Sequence, residues 1–309
     1  MTDITADIIA DLGFADAIGQ LRSTIETWVM GQGTDMRPML EWQFLAPSKY
    51  FRPLTIFACH HAVTGEPATP QLVRSAVVLE MLHNVSLIID DILDASPTRR
   101  GKATLHARFG QLPALMASGL IVAEAYRMVA DDPHDITLCS ALLTRLGIAE
   151  CMQWRLRRQP LGIEDWRDIA GEDTGSMFET CACLATRDDS LRRFGGLLGT
   201  LYHGCDDVGD VRGLASLGGG GEEDLRDGIL TLPAAIAIRD PHIRESFCKP
   251  SPSPDELATI SDAMKAALPE AEAELDRLAT EASWEAQVHS SHPAVLLALV
   301  AHTRGLADR

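Results

Sequence analysis

Two acidic clusters of the same form, Asp90-Asp91-Ile92-Leu93-Asp94 and Asp206-Asp207-Val208-Gly209-Asp210, lie inside apolar stretches far apart in the chain. The first follows the run Met81 to Ile89, the second the run Phe194 to Tyr202. Carboxylates are seldom buried unless something cancels their charge. Each cluster must therefore face a solvated cavity, a set of cations, or both. Hard divalent ions such as Mg²⁺ take oxygen ligands of this kind, shared with substrate phosphates. In a helix, neighbouring residues differ by about 100° and residues four apart by about 40°. Asp90 and Asp94 then share a face with Asp91 to the side, and Asp206 and Asp210 repeat that geometry. Two such helices facing across a cavity would hold Mg²⁺ between them; two solvated acidic faces are the other reading of the same pattern.

Composition narrows the partners. The chain of 309 residues carries a formal net charge of −17, which excludes broad electrostatic attraction to nucleic acid or anionic membrane. An anionic substrate would have to be held by local cations and metal. Seven cysteines show no paired spacing with histidines, and Cys181-Ala182-Cys183 is too close for a zinc knuckle. The odd count and an acidic N-terminus (Asp3, Asp7, Asp11) predict reduced thiols and a cytoplasmic protein without a secretory signal. No apolar run reads as a transmembrane segment.

Hydrophobic spacing predicts helices over 3–31, 71–95, 112–130, 136–157, 164–186, 189–211, 230–239, 254–284 and 292–305. Pro97 ends the second of these, and Pro254 opens the one at 254. No alternating strand pattern and no short repeat is visible. One all-α domain over residues 1–309 is the economical organisation. Gly218 to Gly221 lacks the Gly-Lys-Ser/Thr ending of a phosphate loop and reads as a linker or a lid. Trp154, Arg155, Arg157 and Arg158 read as a helix surface with snorkelling arginines.

Cations flank the first cluster. Arg99, Arg100 and Lys102 follow it, and Lys49 and Arg52 precede it in Pro47-Ser48-Lys49-Tyr50-Phe51-Arg52-Pro53. Arginine pairs suit bidentate phosphate recognition. With these motifs in order, the chain resembles the trans-isoprenyl diphosphate synthases, the polyprenyl synthetase family, from about Phe44 to Ala237. Asp90 to His106 carries most of the likeness; Gln153, Thr174-Gly175, the second aspartate cluster, and Gly228 with Thr231-Leu232-Pro233 fall at the expected places.

The resemblance implies an isoprenoid synthase fold, a helix bundle around a central cavity, and a Mg²⁺-dependent prenyltransferase acting as a homodimer. Metal positions would be Asp90, Asp94, Asp206 and Asp210, with Asp91 and Asp207 in support, holding a cluster of about three Mg²⁺ ions. Arg99 would contact the allylic diphosphate; Lys49, Arg52, His83 and Arg100 would hold isopentenyl diphosphate, and Gln153, Thr174 and His203 would complete the substrate contacts. Val85 and Ser86, five and four positions before Asp90, would line the product tunnel, and their small size implies a product of geranylgeranyl length or longer. Leu115, Ile121 and Val122 suit a dimer seam or core packing.

Departures from the family pattern matter for charge. Asp173 and Ile229 stand where the family has lysines, Tyr202-His203 where it has Phe-Gln, Pro47-Ser48 where it has Gly-Gly, and Tyr50 where it has arginine. Each lost lysine removes a charge-assisted hydrogen bond of roughly 1.5–3 kcal/mol. The main expectation is elongation of an allylic diphosphate with isopentenyl diphosphate. A class I terpene synthase or a weakly active partner subunit on the same fold are the alternatives.

Overall fold

The computed structural model describes residues 4–46, 48–99, 101–214 and 221–308. Arg100 and Gly218 to Gly220, named above, lie outside the described residues. By its internal contacts the chain falls into two compact units: unit 1 is Met1–Leu143, Thr180–Leu191 and His289–Leu296, and unit 2 is Thr144–Glu179, Arg192–Val288 and Leu297–Arg309.

The architecture is all-α, as expected. The helices in chain order are α1 (Ile4–Asp11), α2 (Ala15–Met30), α3 (Arg37–Phe44), α4 (Phe51–Thr64), α5 (Pro70–Leu93), α6 (Leu105–Phe109), α7 (Gln111–Met128) and α8 (Pro133–Leu156). Then come α9 (Ile163–Ala170), a π-helical turn (Gly171–Gly175), α10 (Ser176–Thr186), α11 (Arg192–Val211), α12 (Gly221–Asp227), α13 (Leu232–Ala237), α14 (Pro241–Phe247), α15 (Pro254–His289) and α16 (Ala294–Arg304). The helix expected over 3–31 is two helices, because Gly13 takes φ +79° between them. The stretch 164–186 is helical throughout, but a π turn widens it at Asp173 and Thr174.

Unit 1 is organised by α5. Thr69 caps its N-terminus by accepting a hydrogen bond from Leu72 N at 3.2 Å, and Pro70 starts it. Its apolar positions are buried nearly all round, from Leu72 to Ile88, and it packs chiefly on α7 and α4. A helix that is hydrophobic on every side belongs in a core. Contrary to the expectation that no segment could span a membrane, Pro70–Leu93 is long and apolar enough by length and composition, with 72% of its most apolar window buried inside the protein. That burial accounts for its composition: it is the central helix of unit 1.

After α5, Ala95 at φ +51° and Pro97 turn the chain into a hairpin, β1 (Thr98–Arg99) pairing antiparallel with β2 (Lys102–Ala103) about Gly101 at φ +73°. Two-residue strands are too short to show alternation, so the hairpin is not visible in the hydrophobic pattern. Lys102 locks the hairpin down: its Nζ donates to Trp42 O at 2.7 Å and sits 3.7 Å from the Trp42 ring centroid.

Unit 2 is organised by α11, which packs on the π turn, α9 and α13. Close approach is permitted by glycines on one of its faces. A Cβ at Gly195 would come 2.4 Å from Phe178 O, and one at Gly199 2.8 Å from Gly175 Cα. Trp166 of α9 is fully buried beneath it. Among the described residues the cysteines are free, five of them buried.

Candidate active site

Each acidic cluster divides into two kinds of residue, as the helical period requires. In unit 1, Asp90 is half-buried near the end of α5 and Asp94 is its exposed C-cap, whereas Asp91 turns inward and is 5% exposed. Arg99 on β1 donates from Nε to Asp91 Oδ1 at 2.7 Å. Burial pushes the Asp91 carboxyl above the usual range, and Arg99 pulls it back. The hairpin therefore exists in part to return Arg99 to the helix that precedes it.

Unit 2 repeats the division. Asp206 and Asp210 are half-buried on α11 and Asp207 is buried. Asp207 Oδ2 accepts two hydrogen bonds, from Trp166 Nε1 at 2.8 Å and from Leu232 N at 2.8 Å. Asp207 thus ties α9, α11 and the start of α13 together. Asp210 has no such support: its buried Oδ1 has no hydrogen-bond partner. Burial, then the neighbouring Asp206, Asp224 and Asp207, push its carboxyl up to about 8. Oxygen donors crowded at one place with their charges unbalanced fit a hard divalent cation.

The remaining predicted residues fall into two groups. In unit 1, Arg52 in the first turn of α4 meets His83 of α5, Nη1 to Nε2 at 3.0 Å. Lys49 is half-buried just ahead of that helix. Val85 is buried and Ser86 half-buried on α5, where Ser86 Oγ donates to His83 O at 2.9 Å. In unit 2, Thr174 in the π turn meets His203 of α11, Oγ1 to Nδ1 at 3.0 Å, and donates to Asp173 Oδ2 at 3.0 Å. His203 Nε2 lies 3.8 Å from Asp207 Oδ1. Burial opposes a charge on this imidazole, but Asp207, then Asp173 and Asp206, outweigh it and push the group up to about 9. At neutral pH His203 is therefore a cation. Gln153 is half-buried near the end of α8, and among the described residues no hydrogen bond links it to either cluster.

Sequence reasoning missed two anchors. Arg158 is not a snorkelling surface arginine. Its backbone N donates to Gly228 O at 2.9 Å, and its guanidinium donates to the carbonyls of Phe247 (3.1 Å), Leu225 (3.2 Å) and Arg226. Gly228, at φ +74°, has room for this only because it lacks a Cβ, which would lie 2.5 Å from Arg158 Nε. The second is a tight group in unit 1, Asp132, His134 and Asp135, whose ligand atoms lie within 4.8 Å of one another. Arg187 already pairs with both of its carboxylates, reaching Asp132 at 2.9 Å from both Nη atoms and Asp135 at 3.4 Å. It is an ion-pair lock, and the acid-rich run Asp131 to Asp135 was its only sequence sign.

Known proteins resemble this chain along most of its length. The family model described as polyprenyl synthetase matches residues 34–264. A nonaprenyl diphosphate synthase of Mycobacterium tuberculosis is 27% identical over 256 residues, 76% of each chain. An all-trans-nonaprenyl-diphosphate synthase of Rhodobacter capsulatus is 30% identical over 206 residues, 63% of each chain. Among solved structures, heptaprenyl diphosphate synthase from Staphylococcus aureus superposes with a TM-score of 0.85 at 19% identity, over 95% of this chain and 98% of that one. Likeness at that identity speaks to the fold, which is the isoprenoid synthase fold.

Proposed function

Because the chain belongs to the polyprenyl synthetase family, and so is a prenyltransferase condensing isopentenyl diphosphate with an allylic diphosphate, we propose that Asp90, Asp94, Asp206 and Asp210 bind about three Mg²⁺ ions that hold the allylic pyrophosphate. The family works with divalent metal ions; the identity and number of ions are the proposal. The observation that carries it is the division inside each cluster. Asp91 and Asp207 turn inward to Arg99, Trp166 and Leu232, the other acids of each cluster are half-buried or exposed, and Asp210 keeps a buried oxygen without a hydrogen bond.

Bound Mg²⁺ would neutralise the pyrophosphate as the allylic C–O bond breaks. The protein supplies the rest. Lys49, Arg52, His83 and Arg100 hold the diphosphate of isopentenyl diphosphate, and Arg99 contributes positive charge to the allylic side. His203, protonated and held by Thr174, gives the second cluster the cation that the residues at 173 and 229 do not. Gln153 and Thr174 complete the substrate contacts. Buried apolar residues around α5 keep water from the allylic cation.

Val85 and Ser86 are small at the positions before Asp90 where a bulky side chain would close the product tunnel, which supports a product of geranylgeranyl length or longer. The relatives named for nonaprenyl and heptaprenyl products support the same reading. A single catalytic domain is part of the proposal, since the family match runs through both units, and so is a cytoplasmic location. So is a homodimer. Leu112, Leu115 and Met116 on α7, 69%, 42% and 56% exposed on one helical face, would offer its seam, while Ile121 is fully buried.

Incubation with Mg²⁺ and geranyl or farnesyl diphosphate, with and without isopentenyl diphosphate, followed by mass spectrometry, tests this. Elongated diphosphates are expected. Hydrocarbons or alcohols formed without isopentenyl diphosphate would replace elongation with terpene synthesis.

A further inference from the structure

The segment that carries Lys49 into α4 is tied on both sides of that residue. Before it, Ser48 Oγ donates to Glu80 Oε1 at 3.1 Å. Glu80 is 3% exposed on α5, one helical turn from His83, which itself meets Arg52. After it, Tyr50 sits at φ 49°, ψ 31°. A left-handed backbone on a non-glycine residue costs about 1–3 kcal/mol and persists only where the surroundings enforce it. Here the enforcing contacts are visible. The Tyr50 ring is 7% exposed, and Arg22 of α2 lies 4.9 Å from its centroid while hydrogen-bonding its hydroxyl. Tyr50 O then accepts the first helical hydrogen bond of α4, from Leu54 N at 2.9 Å. The kink at Tyr50 therefore fixes the angle at which the Lys49 segment joins the helix bearing Arg52.

These ties matter because packing does not hold the segment from every side. A cavity of about 460 Å³, lined by Arg22, Glu26, Phe44, Ser48 and Tyr50 among others, lies directly beside it. Without Ser48–Glu80 and Tyr50–Arg22, the segment has room to shift. All of these residues belong to unit 1. Two of the tethers, Ser48 and Tyr50, stand at positions where the family resemblance places other residues.

We infer that Ser48, Glu80, Tyr50 and Arg22 are positioning residues, which set Lys49 and Arg52 at the spacing that isopentenyl diphosphate requires. This rests on the proposed function. Glu80 serves both cations, holding Lys49 through Ser48 and sharing α5 with the histidine that meets Arg52.

Steady-state kinetics with each substrate varied in turn test the inference. Ser48→Ala and Arg22→Met should each raise KM for isopentenyl diphosphate about tenfold, the effect of misaligning one charge-assisted phosphate contact. KM for the allylic diphosphate and kcat should stay within about twofold. Ser48→Thr keeps the hydroxyl and should restore the wild-type KM, and Tyr50→Phe, which removes only the hydroxyl, should behave as Arg22→Met does. An unchanged KM for isopentenyl diphosphate in Ser48→Ala and Tyr50→Phe would overturn the inference, as would a parallel rise in both KM values. Ser48→Ala decides the matter if the other variants misfold, because it deletes one half-buried hydroxyl. A wild-type protein that elongates nothing would instead sink the functional reading itself.

Discussion

Asp207 offers the sharpest test of the division of labour within the aspartate clusters. Asp207→Ala removes the acceptor of two buried donors, Trp166 Nε1 and Leu232 N, each now at 2.8 Å. An orphaned buried donor costs about 1–3 kcal/mol, so the pair costs about 2–6 kcal/mol. Part of that is returned, because burial raises the Asp207 carboxyl and its charge is itself unfavourable in this place. The expected net loss is about 3 kcal/mol. Asp207→Asn keeps one oxygen for both donors and loses the charge, so it should stay within about 1 kcal/mol of the wild type. Urea unfolding followed by circular dichroism gives the stabilities. Amide exchange at Leu232, which should quicken in the alanine variant alone, localises the effect. The reasoning fails if alanine is harmless, or if asparagine is as damaging as alanine. The first result would remove the two hydrogen bonds from the account of the fold; the second would make charge, not acceptor geometry, the role of Asp207.

Asp210→Asn should do the reverse, abolishing Mg²⁺ binding in isothermal titration while leaving the metal-free protein at least as stable as the wild type, because its orphaned oxygen is a cost in the absence of an ion. Chelation should abolish binding of the allylic diphosphate but leave binding of isopentenyl diphosphate detectable by the same method. Val85→Phe should shorten the product seen by mass spectrometry, and an unchanged distribution would place the tunnel floor elsewhere. Arg187→Met should cost about 2 kcal/mol at neutral pH, less than a fully buried pair because the arginine is half-exposed. Its hydrogen bonds hold the Asp132 carboxyl well below the ordinary 3.8. A depressed acid contributes stability above its unfolded value and loses it as pH falls, so the gap between wild type and variant should be constant above about pH 5 and close below about pH 4 in urea titrations.

The parts of this protein legible in its sequence are those that repeat with the helical period. Asp90 and Asp94 against Asp91, and Asp206 and Asp210 against Asp207, sort correctly into outward and inward positions because one peptide step turns a side chain by about 100°. The end of α5 was legible to within two residues, since Pro97 acts locally. What failed depends on contacts between distant residues or on single backbone angles. Arg158 reads as one more surface arginine until Gly228, far along the chain, is brought beneath it. Glu80 breaks an apolar helix, but its partner Ser48 is known only from the fold. The division of 3–31 at Gly13 and the π turn at Asp173 each rest on one or two dihedral changes that leave the hydrophobic spacing nearly intact.

The same logic explains how a chain of net charge −17 can serve anionic substrates. At 0.1 M salt, exposed charges more than about 10 Å away are largely screened, so the local set decides. In unit 1, Arg52 and His83 stand together, and the segment bearing Lys49 is tied to α5 through Ser48 and Glu80. Under the proposed function, Lys49 and Arg52 need no metal to meet isopentenyl diphosphate. Around the second cluster the balance is the opposite: Asp173, Asp206 and Asp207 outnumber the one charge that His203 brings. An anion cannot approach such a set until divalent ions have reversed its sign. Under the proposed function, Asp173 and His203 therefore leave the work of holding the allylic diphosphate largely to metal, and the requirement for metal is unequal between the two substrates.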